Sequence, residues 1–485
     1  MDPKIINSFS LRDKLNNPLS AILPASLLHS YRGLWVIVLC AIPIFLIRLT
    51  FPSPIITNDS ILYFRIANNL IDHHCYSGLE MQSPACIPTW GTNQPPGYPV
   101  FIAMVRLLIG TDPQQTVFAQ KVVLFQAALF SIAAAIALWS SYSWHKSIPA
   151  LISSLILITL SPLSIAWPRW VLTETLAAAA GLLVFAALFC SFAAQRMKVI
   201  KTGIAIALAI FLRWDQIWLL VPAFLCAFYL GGYSRGLRHT VTIGLIAIFP
   251  ILAMIGRAGL VGIPLLPNNS ITSDPYLAKG VWVFFQKTAL TQDATSGFLW
   301  SMWDRRYEEL NRVFNYDSIF SSYDTVRFRS LTDRISALPN GSPLPADIDA
   351  ELVDLAGASK KLGIGLTLNF TFQRAIKMWT AMDTIFYSGW MQLPSAKTVE
   401  TFSFAYRILL IITCILLLLR ARGVEFVLLV GLICYIAFRT FFFASLTMLE
   451  IRYLMPMFPV MEVALVSLAV RGRKQARNDQ LRNNC

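Results

Sequence analysis

The stretch Thr57-Asn58-Asp59-Ser60-Ile61-Leu62-Tyr63, continued by Ile66-Ala67-Asn68-Asn69-Leu70 and closed by Gln94-Pro95-Pro96-Gly97-Tyr98-Pro99, decides how this chain is read. It follows an apolar run, Leu34–Ile47, that ends in Phe51-Pro52-Ser53-Pro54. A polar, proline-rich segment just beyond such a run belongs at a membrane surface, with Asp59 a few residues past the span. A carboxylate held there either caps a helix or reacts. Leu62, Ile66 and Leu70 recur every four residues, which predicts a helix over Asp59–Asp72 with one membrane-facing side. Tyr98–Ile109, stopped by Gly110-Thr111-Asp112-Pro113, predicts a second short helix lying at the interface.

The rest of the chain agrees with a membrane setting. Its 485 residues are 56% hydrophobic and only 14% charged, where a soluble domain has about 25% charged residues. The apolar residues come in further long runs: Val117–Trp139, Ile148–Ala166, Leu176–Ala194, Val241–Ile255, Ile408–Leu419, Phe426–Phe438 and Met455–Val470. Several approach the roughly 20 residues that cross a bilayer. The expected fold is an all-α polytopic membrane protein, a helix bundle of about ten spans. The spans are expected at about 34–50, 116–139, 148–166, 173–193, 202–213, 216–230, 240–256, 402–419, 424–446 and 453–470. Residues 1–256 then form an N-terminal bundle with a first external loop, 51–115. Residues 257–401, rich in charged, Pro, Gly, Asn and Ser residues, form a mostly helical external region, and its last part, Ile364–Trp390, should rest on the membrane. Spans over 402–470 and a basic tail, 471–485, complete the chain.

The formal net charge of +14 does not indicate nucleic acid, because the basic residues gather at span ends. Lys4, Arg12, Lys14 and Arg32 precede the first span. Arg196, Lys198 and Lys201 form one loop, Arg235, Arg238 and His239 another, Arg420 and Arg422 a third, and Arg471, Arg473, Lys474, Arg477 and Arg482 the tail. This positive-inside pattern puts both termini in the cytoplasm. The N-terminal thirty residues are too long and polar for a cleaved signal peptide, and the first span reads as a signal anchor. Of eight cysteines, only Cys75 and Cys86 fall in an external loop. An oxidising compartment would pair them; two free thiols is the alternative.

With this topology, Asp59, Arg169, Glu174, Arg213, Asp215, Glu450 and Arg452 all lie at the outer ends of spans. Arginine offers a bidentate fork to phosphate oxygens, and a carboxylate can accept a proton. Mixed carboxylates and arginines at one membrane level therefore suit a phosphate-bearing substrate. Interfacial snorkelling and salt bridges between loops are the structural alternative.

The Asp59-x-x-x-Tyr63 pattern, Ala67-Asn68-Asn69-Leu70 and Pro95-Pro96-Gly97-Tyr98-Pro99 resemble the first external loop of GT-C glycosyltransferases. The nearest likeness is to bacterial relatives of dolichyl-phosphate-mannose protein mannosyltransferases and to lipid A aminoarabinose transferases. Thr173-Glu174 opening a span, Leu212-Arg213, and Glu450-x-Arg452-Tyr453-Leu454-x-Pro456 also resemble that group. The resemblance implies a polyprenyl-phosphate sugar donor and an inverting transfer at the extracytoplasmic face to a glycan, lipid or protein acceptor. On the chemistry, Asp59 can serve as the general base, and Arg213, Arg452 or Arg169 can steady the phosphate leaving group. Tyr63, Gln94, Glu174, Asp215, Glu450 and Tyr453 are further candidate site residues. Many members of the group carry two adjacent acidic residues where this chain has Asn58-Asp59, and a lone carboxylate speaks against a divalent metal. No cofactor is expected.

Three other readings compete. A transporter or flippase of lipid-linked sugar would place ionisable residues near the midplane, a scaffold would leave the Asp59 stretch without a purpose, and a polysaccharide ligase or polymerase would use a similar donor.

Overall fold

The computed structural model describes residues 25–50, 53–78, 95–110, 115–165, 167–262, 280, 283–284, 322–339, 344–358, 364–380, 396–446 and 451–483. Gln94, Cys86 and Glu450 lie outside them. Fifteen long helices make up the described part: α1 (Ala25–Leu49), α2 (Asn58–Asp72), α3 (Gly97–Ile109), α4 (Gln115–His145), α5 (Ile148–Leu160), α6 (Glu174–Ala193), α7 (Val199–Leu212), α8 (Leu220–Ala247), α9 (Phe249–Leu260), α10 (Ser322–Ser336), α11 (Ala346–Ala358), α12 (Ile364–Thr380), α13 (Ala396–Leu418), α14 (Val424–Ser445) and α15 (Phe458–Asn483). Short 3-10 turns over Trp167–Arg169, Trp214–Leu219 and Ile451–Met457 join helices at the end of the bundle that carries α2 and α3.

Among the described residues Thr116–His145, Glu174–Ala193, Thr401–Leu418, Val424–Ser445 and Arg452–Arg471 are helices long and apolar enough to cross a bilayer, and the apolar segment Trp214–Ala247 is two helices that meet at Gly232. The remaining expected spans, in α1, α5, α7 and α9, are shorter apolar helices. The outward faces are apolar as well: Leu39 and Leu46 on α1, Ile152 and Ile156 on α5, and Ile204 on α7 are exposed. That pattern suits lipid as the surrounding solvent. α6 is buried along nearly its whole length, and Ala177–Ala180 let its neighbours come close. It packs against α4, α7 and α15 and forms the axis of the bundle.

Spans six and seven are joined at a glycine. Gly232 has φ +64°, a left-handed backbone that side-chain-bearing residues rarely adopt. The chain folds back there, so Gly236 lies against Phe228 and Gly244 faces Phe224. The basic residues Arg235, Arg238 and His239 sit at this reversal.

Several helices overrun the apolar segments. The expected boundary at 256 falls inside α9, α13 begins before 402, and α15 continues past 470 into the basic tail. Span three, in contrast, stops at Leu160 and the chain turns over 161–165. Hydropathy marks what can sit in lipid, whereas backbone hydrogen bonds carry a helix until a cap or breaker stops it. Far from α2, Arg471 of α15 reaches Glu425 at the start of α14 (3.4 Å) and donates to the Trp144 carbonyl at the end of α4 (3.0 Å).

The region before the last three spans contains a helix pair, α10 and α11, joined by Arg334 to Asp347 and Glu351 and by Arg327 to Asp354. α12 lies along α14, where Trp379 donates to Thr440 (3.2 Å). Arg374, Ala375 and Met378 face inward and are buried, while Leu368, Phe372 and Ile376 form an exposed apolar stripe. The described part of the expected membrane-resting segment therefore has two different faces. Its continuation, residues 381–390, lies outside the described residues.

Candidate active site

The position of Asp59 follows from how α2 begins. Thr57 caps the helix: its hydroxyl accepts from the Ser60 amide (3.3 Å), and the Ser60 hydroxyl accepts from the Thr57 amide (2.9 Å). This reciprocal box satisfies the first turn. Asp59, at the second helical position, is thus not needed as a cap. The Ser60 hydroxyl also donates to the Val171 carbonyl (2.9 Å), which fastens the start of α2 to the turn before α6. Ile55 pairs with that same turn through Arg169 O (2.8 Å) and the Val171 amide (3.1 Å).

Asp59 Oδ2 is 3.0 Å from Nη1 of Arg452, in the turn between α14 and α15. Arg452 Nη2 donates to the Tyr453 hydroxyl (2.9 Å), and its guanidinium lies 4.9 Å from the Tyr453 ring centre. Residues almost four hundred positions apart in sequence thus meet in one ion pair.

A second group lies alongside. Arg213, just after α7, contacts Glu174 (2.8 Å), Asp215 (2.9 Å) and the Thr173 hydroxyl (3.0 Å). The other oxygen of Asp215 is held by Arg439 of α14, whose Nε donates to the Tyr453 carbonyl (2.8 Å). The Arg213 guanidinium lies 5.5 Å from the Tyr453 ring, which stacks on Phe443 at 4.5 Å. Tyr453 therefore connects the two groups: its ring touches Arg452 and Arg213, and its carbonyl receives Arg439.

The carboxylates differ in access. The Asp59 side chain is 39% exposed, whereas Glu174 and Asp215 are 4% and 8% exposed and Arg439 is fully buried. Exposed ion pairs contribute little to stability, about 0–1 kcal/mol. Breaking a buried one leaves an uncompensated charge and costs about 3–5 kcal/mol. Of these three carboxylates Asp59 is the one open to solvent, whereas Glu174 and Asp215 are enclosed in the Arg213 group.

Tyr63 of α2 stands between the two groups. Burial is the main cause that pushes its phenol well above the usual range; Asp59 and Glu174 add to the shift, while Arg213 and Arg452 oppose it. It therefore stays protonated and can donate a hydrogen bond. Tyr63 meets Tyr98 of α3 edge-on at 4.9 Å. The Tyr98 hydroxyl donates to Gln126 Oε1 (2.9 Å), and Gln126 Nε2 donates to the carbonyls of Trp170 (2.7 Å) and Pro168.

Pro95-Pro96-Gly97-Tyr98-Pro99 also acquires a physical reason. A Cβ on Gly97 would lie 2.7 Å from the Phe211 carbonyl carbon and 2.9 Å from the Leu212 amide. Glycine lets the start of α3 press onto the end of α7, one residue before Arg213.

Of the expected site residues, Asp59, Arg452, Tyr453 and Tyr63 come together, and Arg213, Glu174 and Asp215 form the buried group beside them. Arg169 joins neither; its Nε donates to the Ser53 carbonyl (3.2 Å). Gln94 and Glu450 are outside the described residues. Arg439 and Gln126 are new. An arginine inside the apolar span Phe426–Phe443 is itself a signal, since a charge at membrane depth needs a partner. Gln126 gives a weaker one, as a single amide within α4. Cys75 is disulfide-bonded; Cys86, its expected partner, is not described. Among the described residues no three His, Cys, Asp or Glu side chains gather as a metal ion requires.

No protein-family model matches this sequence, and no curated protein matches it. ArnT from Cupriavidus metallidurans, whose crystal structure was determined in the apo state, is similar at 13% sequence identity, with 92% of this chain and 78% of that chain covered and a TM-score of 0.35.

Proposed function

We propose that the chain is a membrane glycosyltransferase of the GT-C type. It moves a sugar from a polyprenyl-phosphate donor to an acceptor hydroxyl at the extracytoplasmic face of the plasma membrane. One observation carries this reading: Asp59, relieved of capping by Thr57 and Ser60, is the accessible carboxylate of the site and stands against Arg452. The sequence resemblance around Asp59 and Arg452 supplies the donor class.

In this reading the acceptor oxygen attacks the anomeric carbon from the face opposite the phosphate. The carbon–oxygen bond to phosphate breaks and the configuration inverts. Asp59 takes the acceptor proton. The electron pair of the broken bond leaves on the phosphate, which Arg452 steadies by charge and by its two-pronged geometry. The products are the glycosylated acceptor, the polyprenyl phosphate and a proton on Asp59 that water removes. Protonated Tyr63 donates to a substrate oxygen. The apolar outer faces of the bundle accommodate the prenyl chain.

A flippase of the same lipid is favoured by a different observation. Arg48 and Glu462 are ionisable residues buried inside the bundle; Arg48 donates to the Ile158 carbonyl (3.1 Å) and Tyr406 donates to Glu462 (3.0 Å). One experiment separates the readings. Purified protein in lipid nanodiscs is incubated with polyprenyl-phosphate-linked radiolabelled sugars and candidate acceptors. A transferase consumes the donor and releases polyprenyl phosphate. Donor that is bound but stays intact with every acceptor contradicts the transferase reading.

A further inference from the structure

The charges of the site balance among the described residues. Asp59, Glu174 and Asp215 face Arg213, Arg439 and Arg452, three carboxylates against three guanidiniums. Among these six groups a phosphate gains a guanidinium only when one arginine leaves its carboxylate. Arg213 is shared among Glu174, Asp215 and Thr173 in a buried setting, and Arg439 is fully buried between Asp215 and the Tyr453 carbonyl. Removing either from its partners strands a buried charge. Arg452 is different, because Asp59, a carboxylate that it pairs with, is accessible and can be solvated by water.

Arg452 is also mounted so that it can turn without losing its support. It uses Nη1 for Asp59 and Nη2 for the Tyr453 hydroxyl, and its plane rests over the Tyr453 ring. That ring stays in place, stacked on Phe443 and held by Arg439 through its backbone carbonyl. A bidentate grip on phosphate needs both Nη groups. It therefore requires Nη1 to let go of Asp59.

We propose that Arg452 exchanges Asp59 for the donor phosphate over a fixed Tyr453 ring, so that donor binding itself unpairs the base. The exchange rests on the donor reading above and adds an order to it. In the empty site Asp59 is held by Arg452. Once the phosphate takes the guanidinium, the Asp59 carboxylate is free to receive the acceptor hydroxyl. Arg452 then has two successive partners, and Tyr453 and Arg439 are positioning residues that keep it between them.

The exchange makes a prediction opposite in sign to that of a simple supporting contact. If Asp59 competes with phosphate for Arg452, removing its charge tightens phosphate binding. If Asp59 only orients Arg452, removing it weakens binding. The probe is undecaprenyl monophosphate, titrated into the full-length protein in nanodiscs at low and at physiological salt. Asp59→Asn is expected to bind it about two- to fivefold more tightly than wild type, as suits an accessible ion pair. Arg452→Gln is expected to bind it at least about tenfold more weakly. Asp59→Ser serves as a second variant, with the same expected sign, should Asp59→Asn not yield folded protein. Binding by folded Asp59 variants that equals or falls below wild type overturns the exchange and leaves the donor reading standing. No binding of the probe by wild type overturns the donor reading, and the exchange with it.

Discussion

Gly97→Ala tests whether the Pro-Pro-Gly-Tyr-Pro segment positions the site. The added Cβ would lie 2.7 Å from the Phe211 carbonyl carbon, whereas two carbons in comfortable contact are about 3.5 Å apart. The start of α3 and the end of α7 must therefore separate by about 0.8 Å, since both sides of the clash are backbone. Arg213 follows α7 directly, and Tyr98 on α3 carries the edge-on contact to Tyr63. The separation thus acts on both sides of the site. Overpacking of this kind costs about 1–3 kcal/mol in stability, and a misplacement near 1 Å can cost about 100-fold in rate. The assays are thermal unfolding in detergent and donor turnover in nanodiscs, with Gly256→Ala as control because its added Cβ meets open space. The expected result is a folded Gly97→Ala protein with turnover reduced by about 10- to 100-fold and a control near wild type. Full turnover by Gly97→Ala would refute the claim that this glycine sets the site.

Other outcomes follow from the same geometry. Arg439→Met should cost about 3–5 kcal/mol, because it strands a buried Asp215 oxygen; combined with Asp215→Asn in a double-mutant cycle it should show coupling of about 0.5–3 kcal/mol, and strict additivity in thermal unfolding would contradict the pairing. Arg169→Ala should keep donor turnover within about twofold of wild type, since its guanidinium serves the Ser53 carbonyl, whereas Arg452→Lys should lose about tenfold or more because lysine lacks the bidentate fork. The raised Tyr63 phenol contributes stability that is fully present below the unfolded phenol value, about pH 10, and is lost as pH rises through the folded value. Tyr63→Phe should therefore flatten the alkaline limb of the stability profile above about pH 10 and leave its slope at neutral pH unchanged; an identical alkaline limb in both proteins would contradict the assignment.

Much of the architecture was legible because lipid imposes a simple code. Apolar runs marked the helices, and the four-residue spacing of Leu62, Ile66 and Leu70 marked α2. The site was only half legible. Charges at span ends were visible, and Asp59 and Arg452 could be placed at one membrane level. Their pairing could not be read, because it depends on how Ile451–Met457 turns over α6. The division between an accessible carboxylate and two buried ones was hidden for the same reason: burial is a property of packing. Sequence alone left open whether Asp59 caps α2. The hydroxyls of Thr57 and Ser60 decide this, and both are in the quoted stretch. Arg439 stands out in the sequence as a single cation among apolar residues, but its partner comes from another turn. Arg169, in the same outer set by sequence, is turned away by the backbone pairing of Ile55 with residues 169–171.

The most direct test of the account is the sugar-transfer rate of Asp59→Asn. Thr57 and Ser60 cap α2 without help from position 59, so the substitution should leave the helix and the fold intact. It removes the proton acceptor while keeping the size of the side chain. The measurement is single-turnover transfer from a polyprenyl-phosphate-linked sugar in nanodiscs, with thermal unfolding alongside. The account predicts a folded protein that still binds the lipid donor and transfers sugar at least about 100-fold more slowly than wild type. A folded Asp59→Asn protein that transfers sugar at the wild-type rate would contradict it.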